Sequence, residues 1–294
     1  MITDISLALG GGGSRGNAHI GVLRVLEREG FRVRAVAGTS AGGIVAAAYA
    51  AGYTPDQMEA IFAGVDQSKL FWRTLPDGPG LLSLSGAEKV LEEFLGERTF
   101  EDLKIPCSMA AVDIKAGREV ILNQGRVVDA VLATIAVPGV FPPKLLGNVE
   151  LVDGGVLDPV PVSVAHALAP SLPVVAVVLT PLMEPAGGMT RLPIPVPVPD
   201  RIFKRLTRTR IAQTFNIFLS AVDVGERMIT ELRLKMDDPA VIIRPDVSGI
   251  GLLDKVDVHA VVRLGELAAE AALPELRRAV SWTNRLQRQL FPRR

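Results

Sequence analysis

The pentapeptide Gly-Thr-Ser-Ala-Gly at residues 38–42 constrains this chain more than any other stretch. It lies between an apolar run at residues 33–37, which predicts a strand, and an alanine-rich run at residues 43–50, which predicts a helix. A strand that turns directly into a helix holds the Ser40 hydroxyl on a sharp corner, and the flanking glycines let the two backbones approach closely. This arrangement is typical of a nucleophile elbow.

A glycine-rich loop precedes the elbow. Residues 5–9 form a short apolar run that opens into Gly-Gly-Gly-Gly-Ser-Arg-Gly at residues 10–16, and a helical pattern follows from 17 to 29. This strand, the helix and the strand at 33–37 make a βαβ unit, whose right-handed crossover places the two strands parallel in one sheet. Because the carboxyl ends of parallel strands meet at one edge, we expect the glycine loop to lie beside Ser40.

Three interpretations of the glycine loop remain open. Backbone amides of residues 12–14 could stabilise the oxyanion that forms when Ser40 attacks a carbonyl carbon. Gly11, Gly13 and Gly16 also match the G-x-G-x-x-G pattern of dinucleotide-binding folds. The second strand, however, ends in the serine elbow and not in the acidic residue that binds the ribose hydroxyls. The third interpretation is a tight turn that binds no ligand.

A serine nucleophile needs a partner that takes its proton. Asp153 follows an apolar run at residues 148–152 and precedes two glycines, so it is predicted to stand at the end of a strand. An Asp in this position is a common turn residue, and close to Ser40 it would also be a candidate base. A Ser–Asp–His triad that uses His166 or His259 is the alternative, although the elbow here follows only the second strand.

Composition and charge exclude several classes of protein. The 294 residues, of which 48% are hydrophobic, predict a single domain spanning residues 1–294. Lys plus Arg and Asp plus Glu both number 32, so no basic field indicates nucleic acid. The single cysteine, Cys107, excludes a disulfide framework. We see neither a secretory signal nor an apolar run of the ~18 residues that span a bilayer, and expect a cytoplasmic protein.

Three motifs in order resemble the signatures of the patatin-like phospholipase family. They are Gly-Gly-Gly-Ser-Arg-Gly at 11–16, Gly-Thr-Ser-Ala-Gly at 38–42 and Asp-Gly-Gly at 153–155. The resemblance covers roughly residues 5–180, and it implies an α/β fold with three α/β/α layers around a mainly parallel central sheet. One departure is Gly10, where plant members of the family have Asp and bacterial members commonly lack that acid.

The resemblance also implies an activity and its residues. It implies a serine acyl hydrolase of lipid carboxylic esters, of the phospholipase or lysophospholipase type, in which Ser40 is the nucleophile, Asp153 is the base and neither metal nor cofactor takes part. The implied oxyanion hole is formed by the backbone amides of Gly11, Gly12, Gly13, Ser14 and Arg15. The motif glycines are Gly16, Gly38, Gly42, Gly154 and Gly155. The alternative is a catalytically weak regulatory or nucleotide-binding module on the same fold.

The last third of the chain suggests a surface for the substrate's membrane. A proline-rich segment at 181–199 precedes a C-terminal part, 200–294, in which helical patterns predominate. Segment 181–210 joins apolar residues to five basic residues between positions 201 and 210. We hypothesise that this segment contacts an anionic lipid surface, which would make the protein peripheral at the inner face of the membrane; a solvated helix face is the alternative. A further helix is predicted at residues 257–273.

Overall fold

Strand β1 (Thr3–Leu9) occupies an interior position of an eight-stranded sheet. The computed structural model describes residues 3–70, 80, 82–181 and 210–281. The other strands are β2 (Phe31–Thr39), β3 (Cys107–Asp113), β4 (Arg118–Leu122), β5 (Lys144–Leu146), β6 (Val149–Asp153), β7 (Val174–Val177) and β8 (Val241–Ile243). Their order is β5-β6-β3-β2-β1-β7-β8, and β4 pairs with β3.

Most neighbouring strands of the sheet run parallel. β1 is parallel to both β2 and β7, β2 is parallel to β3, and β7 is parallel to β8. β4 and β6 pair antiparallel with β3, and β5 pairs antiparallel with β6. The prediction of a mainly parallel α/β sheet is therefore confirmed. Because helices cover both of its faces, the parallel strands are almost continuously apolar.

Helices form the two outer layers. They are α1 (Ala18–Arg28), α2 (Ala41–Ala51), α3 (Pro55–Gly64), α4 (Ser85–Leu95), α5 (Val127–Thr134), α6 (Val162–Leu168), α7 (Arg210–Asp237) and α8 (Val258–Ala279). Among the described residues, none of these helices combines the length and the apolar character needed to cross a membrane. The predicted proline-rich segment 181–199 lies outside the described residues, apart from position 181.

Alternate side chains of β1 point into two separate hydrophobic clusters, one on each face of the sheet. Ile5, Leu7 and Leu9 belong to the large cluster that contains buried residues of α1, α2, α4, α5 and α8. Ala8 belongs to a second cluster on the opposite face, together with residues of α6 and with Leu234 of α7. Successive side chains of a strand point to opposite faces, so these two clusters confirm the three-layer prediction.

Strand register brings the three sequence motifs to one edge of the sheet. Leu9 of β1 pairs with Gly38 of β2, so the glycine loop and the serine elbow leave the sheet side by side, as the βαβ pattern predicts. Thr39 then pairs with Ala110 of β3, and the next residue, Ala111, pairs with Asp153 of β6. The end of β6 therefore lies next to the end of β2.

Candidate active site

Ser40 stands on a strained corner between β2 and α2. Its backbone dihedrals are φ 53° and ψ −126°, in a region that residues other than glycine rarely adopt. Such a conformation costs on the order of 1–3 kcal/mol and persists only where the surrounding structure enforces it. A Cβ at Gly38 would lie 2.5 Å from the Gly42 carbonyl oxygen, and one at Gly42 would lie 2.1 Å from the Leu9 carbonyl oxygen. The elbow therefore requires both glycines.

Thr134, the last residue of α5, holds this corner in place. The Ser40 N–H donates a hydrogen bond to Thr134 Oγ1 at 2.9 Å, and Thr134 Oγ1 donates to the Ala110 carbonyl oxygen at 2.5 Å. Thr134 is fully buried. Its hydroxyl thus connects the elbow to β3, a role that no local sequence signal indicates.

Asp153, at the end of β6, lies close enough to Ser40 for the serine hydroxyl to lower the pKa of its carboxyl group. The carboxylate accepts the Gly155 N–H at 2.8 Å, which fixes its orientation. Only 5% of Asp153 is exposed. Burial raises the pKa of Asp153 to about 6, against the opposing effects of the Ser40 hydroxyl and the Gly155 N–H. The carboxylate is therefore ionised at neutral pH and more basic than that of an ordinary Asp.

The remaining motif glycines allow close packing around the two residues. A Cβ at Gly16 would lie 2.6 Å from Ala41 Cβ, at the start of α2. A Cβ at Gly154 would lie 2.4 Å from the Ala110 carbonyl oxygen, and one at Gly155 would lie 3.1 Å from Asp153 Oδ1. A side chain at Gly154 would thus push β6 away from β3, the strand to which Thr134 ties the elbow.

The amides of the glycine loop are not equivalent. The Gly11 N–H donates to the Pro159 carbonyl oxygen at 3.0 Å, the Ser14 N–H to that of Leu252 at 2.8 Å, and the Arg15 N–H to that of Gly12 at 3.1 Å. These three of the five amides assigned to the oxyanion hole are already engaged. Within the described part of the chain, the N–H groups of Gly12 and Gly13 have no such partner. Of the five amides predicted to form the oxyanion hole, those of Gly12 and Gly13 are thus the two without a backbone partner among the described residues.

His19 on α1 is hydrogen-bonded to Gly10, the first residue of the glycine loop. Its Nε2 lies 2.8 Å from the Gly10 carbonyl oxygen, and the ring is completely buried. Burial lowers the pKa of His19 to about 4, so the ring is neutral at pH 7 and Nε2 must carry the proton that it donates to Gly10. Residue type and helical position alone indicate no such role.

The histidines of the alternative triad lie elsewhere. His259 is at the start of α8, where its exposed ring lies 2.5 Å from Glu59 Oε1 through Nδ1. His166 is on α6. Among the described residues, neither histidine is hydrogen-bonded to Ser40 or Asp153, whereas the Ser40 hydroxyl lies close enough to Asp153 to lower its pKa.

An apolar cavity of about 880 Å³ opens beside Ser40. Loop residues Gly13 and Ser14 border it next to the serine. Its size falls within the range of ~300–1,000 Å³ that is usual for small-molecule sites. The walls are mostly aliphatic or aromatic and come from α2, α3, α4 and the segment before α8, and they include Ile44, Val45, Phe62, Val90, Leu91, Phe94, Leu252 and Leu253. A long hydrocarbon chain would fit such a space.

Comparison with known proteins places these motifs in one family. The family model for patatin-like phospholipase matches residues 7–166. An uncharacterized NTE family protein of Mycobacterium tuberculosis is 33% identical over 277 residues, which cover 92% of this chain and 46% of that protein. Lysophospholipase NTE1 of Mycosarcoma maydis is 32% identical over 176 residues, which cover 56% of this chain and 9% of that protein. The chain thus spans about half the length, or less, of these relatives.

A solved structure has the same fold. VipD from Legionella pneumophila superposes with a TM-score of 0.57 over 93% of this chain and 67% of its own. The two sequences are 13% identical, so the similarity concerns the fold alone.

Proposed function

The chain belongs to the patatin-like phospholipase family, and from that premise we propose that it is a serine acyl hydrolase of lipid carboxylic esters. The observation that carries the proposal is the proximity of the Ser40 hydroxyl, which borders an apolar cavity, to the buried Asp153 carboxylate, whose pKa it lowers. A serine beside a base can act as a nucleophile on an ester, and the cavity offers a site for the acyl chain.

Acylation begins with attack by Ser40. Its Oγ forms a bond to the ester carbonyl carbon while its proton passes to an oxygen of Asp153. The carbonyl oxygen becomes an oxyanion, which the amides of Gly12 and Gly13 stabilise; one such donor is typically worth roughly 100- to 1,000-fold in rate. When the carbonyl re-forms, the bond to the alcohol oxygen breaks, and that oxygen takes the proton from Asp153. The product is an acyl ester on Ser40.

Deacylation repeats these steps with water. Asp153 takes a proton from the water whose oxygen bonds to the acyl carbon, and it returns that proton to Ser40 Oγ as the acyl–enzyme bond breaks. A base works best when its pKa is close to the working pH. The raised pKa of Asp153, about 6, makes the carboxylate a stronger base than one with the usual value and keeps it ionised at neutral pH.

The substrate class follows from the cavity wall. An apolar wall recognises the hydrocarbon chain, and each buried CH₂ contributes about 0.8 kcal/mol, or about fourfold in kcat/KM. We expect kcat/KM to rise with chain length across p-nitrophenyl esters from acetate upward. Val90→Phe, which narrows the cavity, should reduce the rate for a long-chain ester more than the rate for the acetate. Equal losses for both esters would contradict an acyl-chain role for the cavity.

Labelling by a fluorophosphonate tests the central proposal. The probe should modify Ser40 of the parent protein, leave Ser40→Ala unmodified and react at least 100-fold more slowly with Asp153→Asn. Mass spectrometry of the labelled peptide identifies the site, and ester turnover by the same preparations shows whether labelling and hydrolysis are lost together. A folded parent protein that the probe does not modify would contradict the enzyme assignment. A Ser–Asp–His triad would be indicated if Asp153→Asn stayed active and His166→Ala or His259→Ala did not.

A further inference from the structure

Helix α7 brings a second carboxyl group to the proposed dyad of Ser40 and Asp153. A Cβ built at Gly155 would lie 3.8 Å from Glu226 Oε1, and one built at Gly11 would lie 3.9 Å from the same oxygen. These two glycines are also neighbours of the dyad. The Gly155 N–H binds Asp153, and a Cβ at Gly11 would lie 3.2 Å from Ser40 Cβ. The Glu226 carboxyl group therefore lies within van der Waals distance of the positions where side chains at Gly11 and Gly155 would begin.

Polar contacts to the rest of the fold hold the second half of α7. Arg233 Nε donates to the Leu157 carbonyl oxygen at 3.2 Å, and Arg233 Nη2 donates to Glu119 at 2.9 Å. Two residues earlier on the helix, Glu231 pairs with Arg244, which follows β8, at 2.7 Å. Leu157 lies only four residues after Asp153, so these contacts fix the helix that carries Glu226 relative to the dyad.

The charges around Glu226 disfavour its ionisation. Asp153 at the end of β6 and Asp223 on α7 oppose a further negative charge, whereas Arg15 in the glycine loop and Arg227 on α7 favour it. Glu226 is only partly buried by surface area, but protein atoms surround its carboxyl group. Loss of solvation is the largest cause, followed by Asp153, and together these effects raise the pKa of Glu226 to about 8. At neutral pH the site thus holds one carboxylate, Asp153, and one neutral acid, Glu226.

We propose that Glu226 controls acylation of Ser40 through its charge: the site is active while Glu226 is neutral, and ionisation of Glu226 inactivates it. This inference rests on the proposed function. A substrate that covers Ser40 and Asp153 removes water from both carboxyl groups. Desolvating one carboxylate costs less free energy than desolvating two, so a neutral Glu226 favours substrate binding. In the reaction, negative charge moves from Asp153 to the oxyanion at Gly12 and Gly13. An ionised Glu226 facing Gly11 would repel that charge beside the same loop.

The pH dependence of acylation tests this inference. We expect kcat/KM of the parent protein, and its rate of labelling by fluorophosphonate, to rise near pH 6 as Asp153 ionises. Both should fall above about pH 8, by about tenfold per pH unit. In Glu226→Gln, which is uncharged at every pH and nearly isosteric, the acidic limb should remain and the alkaline limb should disappear. Rates are normalised to each variant's own maximum, and hydrolysis by Ser40→Ala gives the background at each pH.

Asp223→Asn is the matched control, because it removes a carboxylate from the same helix one turn away. Asp223 pairs with Arg227 at 2.8 Å and opposes ionisation of Glu226. We expect the alkaline limb to persist in Asp223→Asn and to move to lower pH. A second uncharged replacement, Glu226→Met, should also lack the limb.

Two results would overturn the inference. An alkaline limb that persists in both folded Glu226 variants, while the parent protein is labelled and active, refutes the role of Glu226 and leaves the proposed function intact. A folded parent protein that is neither labelled nor active refutes the proposed function, and the inference with it.

Discussion

Asp153→Asn should make the protein inactive and at the same time more stable. The reason is the burial of a carboxylate that must be ionised for catalysis. Burial raises the pKa of Asp153 from 3.8 to about 6. Between these two values the unfolded chain releases the proton before the folded chain does, so the free energy of unfolding decreases as pH rises through this window.

The two pKa values fix the size of the effect. Linkage gives a destabilisation of about 3 kcal/mol at pH 7.5 and about 1.5 kcal/mol at pH 5, because above the folded-state pKa of about 6 the full difference applies. Asn has nearly the same shape, and its carbonyl oxygen can still accept the Gly155 N–H. We therefore expect Asp153→Asn to gain up to these amounts of stability relative to the parent protein.

Urea unfolding at pH 7.5 and pH 5 measures this difference. Ser40→Ala is the control, because it removes the hydroxyl that lowers the pKa of Asp153 and leaves the carboxylate in place. Loss of the Ser40 hydroxyl should raise the pKa of Asp153 further. The free energy of unfolding of Ser40→Ala should therefore be lower than that of the parent protein, by more at pH 7.5 than at pH 5. An Asp153→Asn protein that is less stable than the parent, or whose gain is the same at both pH values, would refute the assignment of a buried, ionised carboxylate.

Three further predictions concern the surroundings of the dyad. Thr134→Val, which removes the hydroxyl bonded to the Ser40 N–H, should lower kcat at least tenfold with little change in KM, and Thr134→Ser should restore it. Gly12→Val should reduce turnover and labelling, because even a Cβ there would lie 2.9 Å from Leu179 Cβ and would displace the amides of the loop; normal turnover would contradict a role of these amides in the oxyanion hole. For segment 181–210, vesicle sedimentation should show salt-sensitive binding to anionic liposomes and not to neutral ones. That binding should weaken in a variant with Lys204, Arg205 and Arg208 replaced by Gln, and equal binding by both proteins would count against membrane contact.

The juxtaposition of the glycine loop and Ser40 could be predicted from the sequence because it depends on local rules. A strand, a crossover helix and a second strand leave few arrangements in space, and the observed pairing of Leu9 with Gly38 is the expected one. The position of Asp153 relative to Ser40 follows from no such rule. It depends on β6 pairing antiparallel with β3, and only the family resemblance indicated that these two residues meet.

Which loop amides are free could not be read from the sequence either. The carbonyl oxygens that engage the Gly11 and Ser14 amides belong to Pro159 and Leu252, which are distant along the chain.

The end of helix α8 also could not be predicted from local sequence. The pattern at 257–273 stops before Pro274, a residue that normally interrupts a helix, yet α8 continues to Ala279 and buries Leu276 completely. Packing of that last turn against the core outweighs the local preference.

The position of Glu226 next to Asp153 could not be predicted from the sequence, because it depends on how helix α7 is oriented. An amphipathic helix is expected to turn its apolar stripe toward the core. In the described structure, Val224, Met228 and Leu232, spaced four residues apart, are 55%, 47% and 52% exposed. The helix instead faces the dyad with Glu226, and Thr230, one turn later, is buried. The row of residues that faces the protein instead contains Glu226, Thr230 and the buried Leu234, and apolar periodicity alone does not distinguish this row from the exposed one.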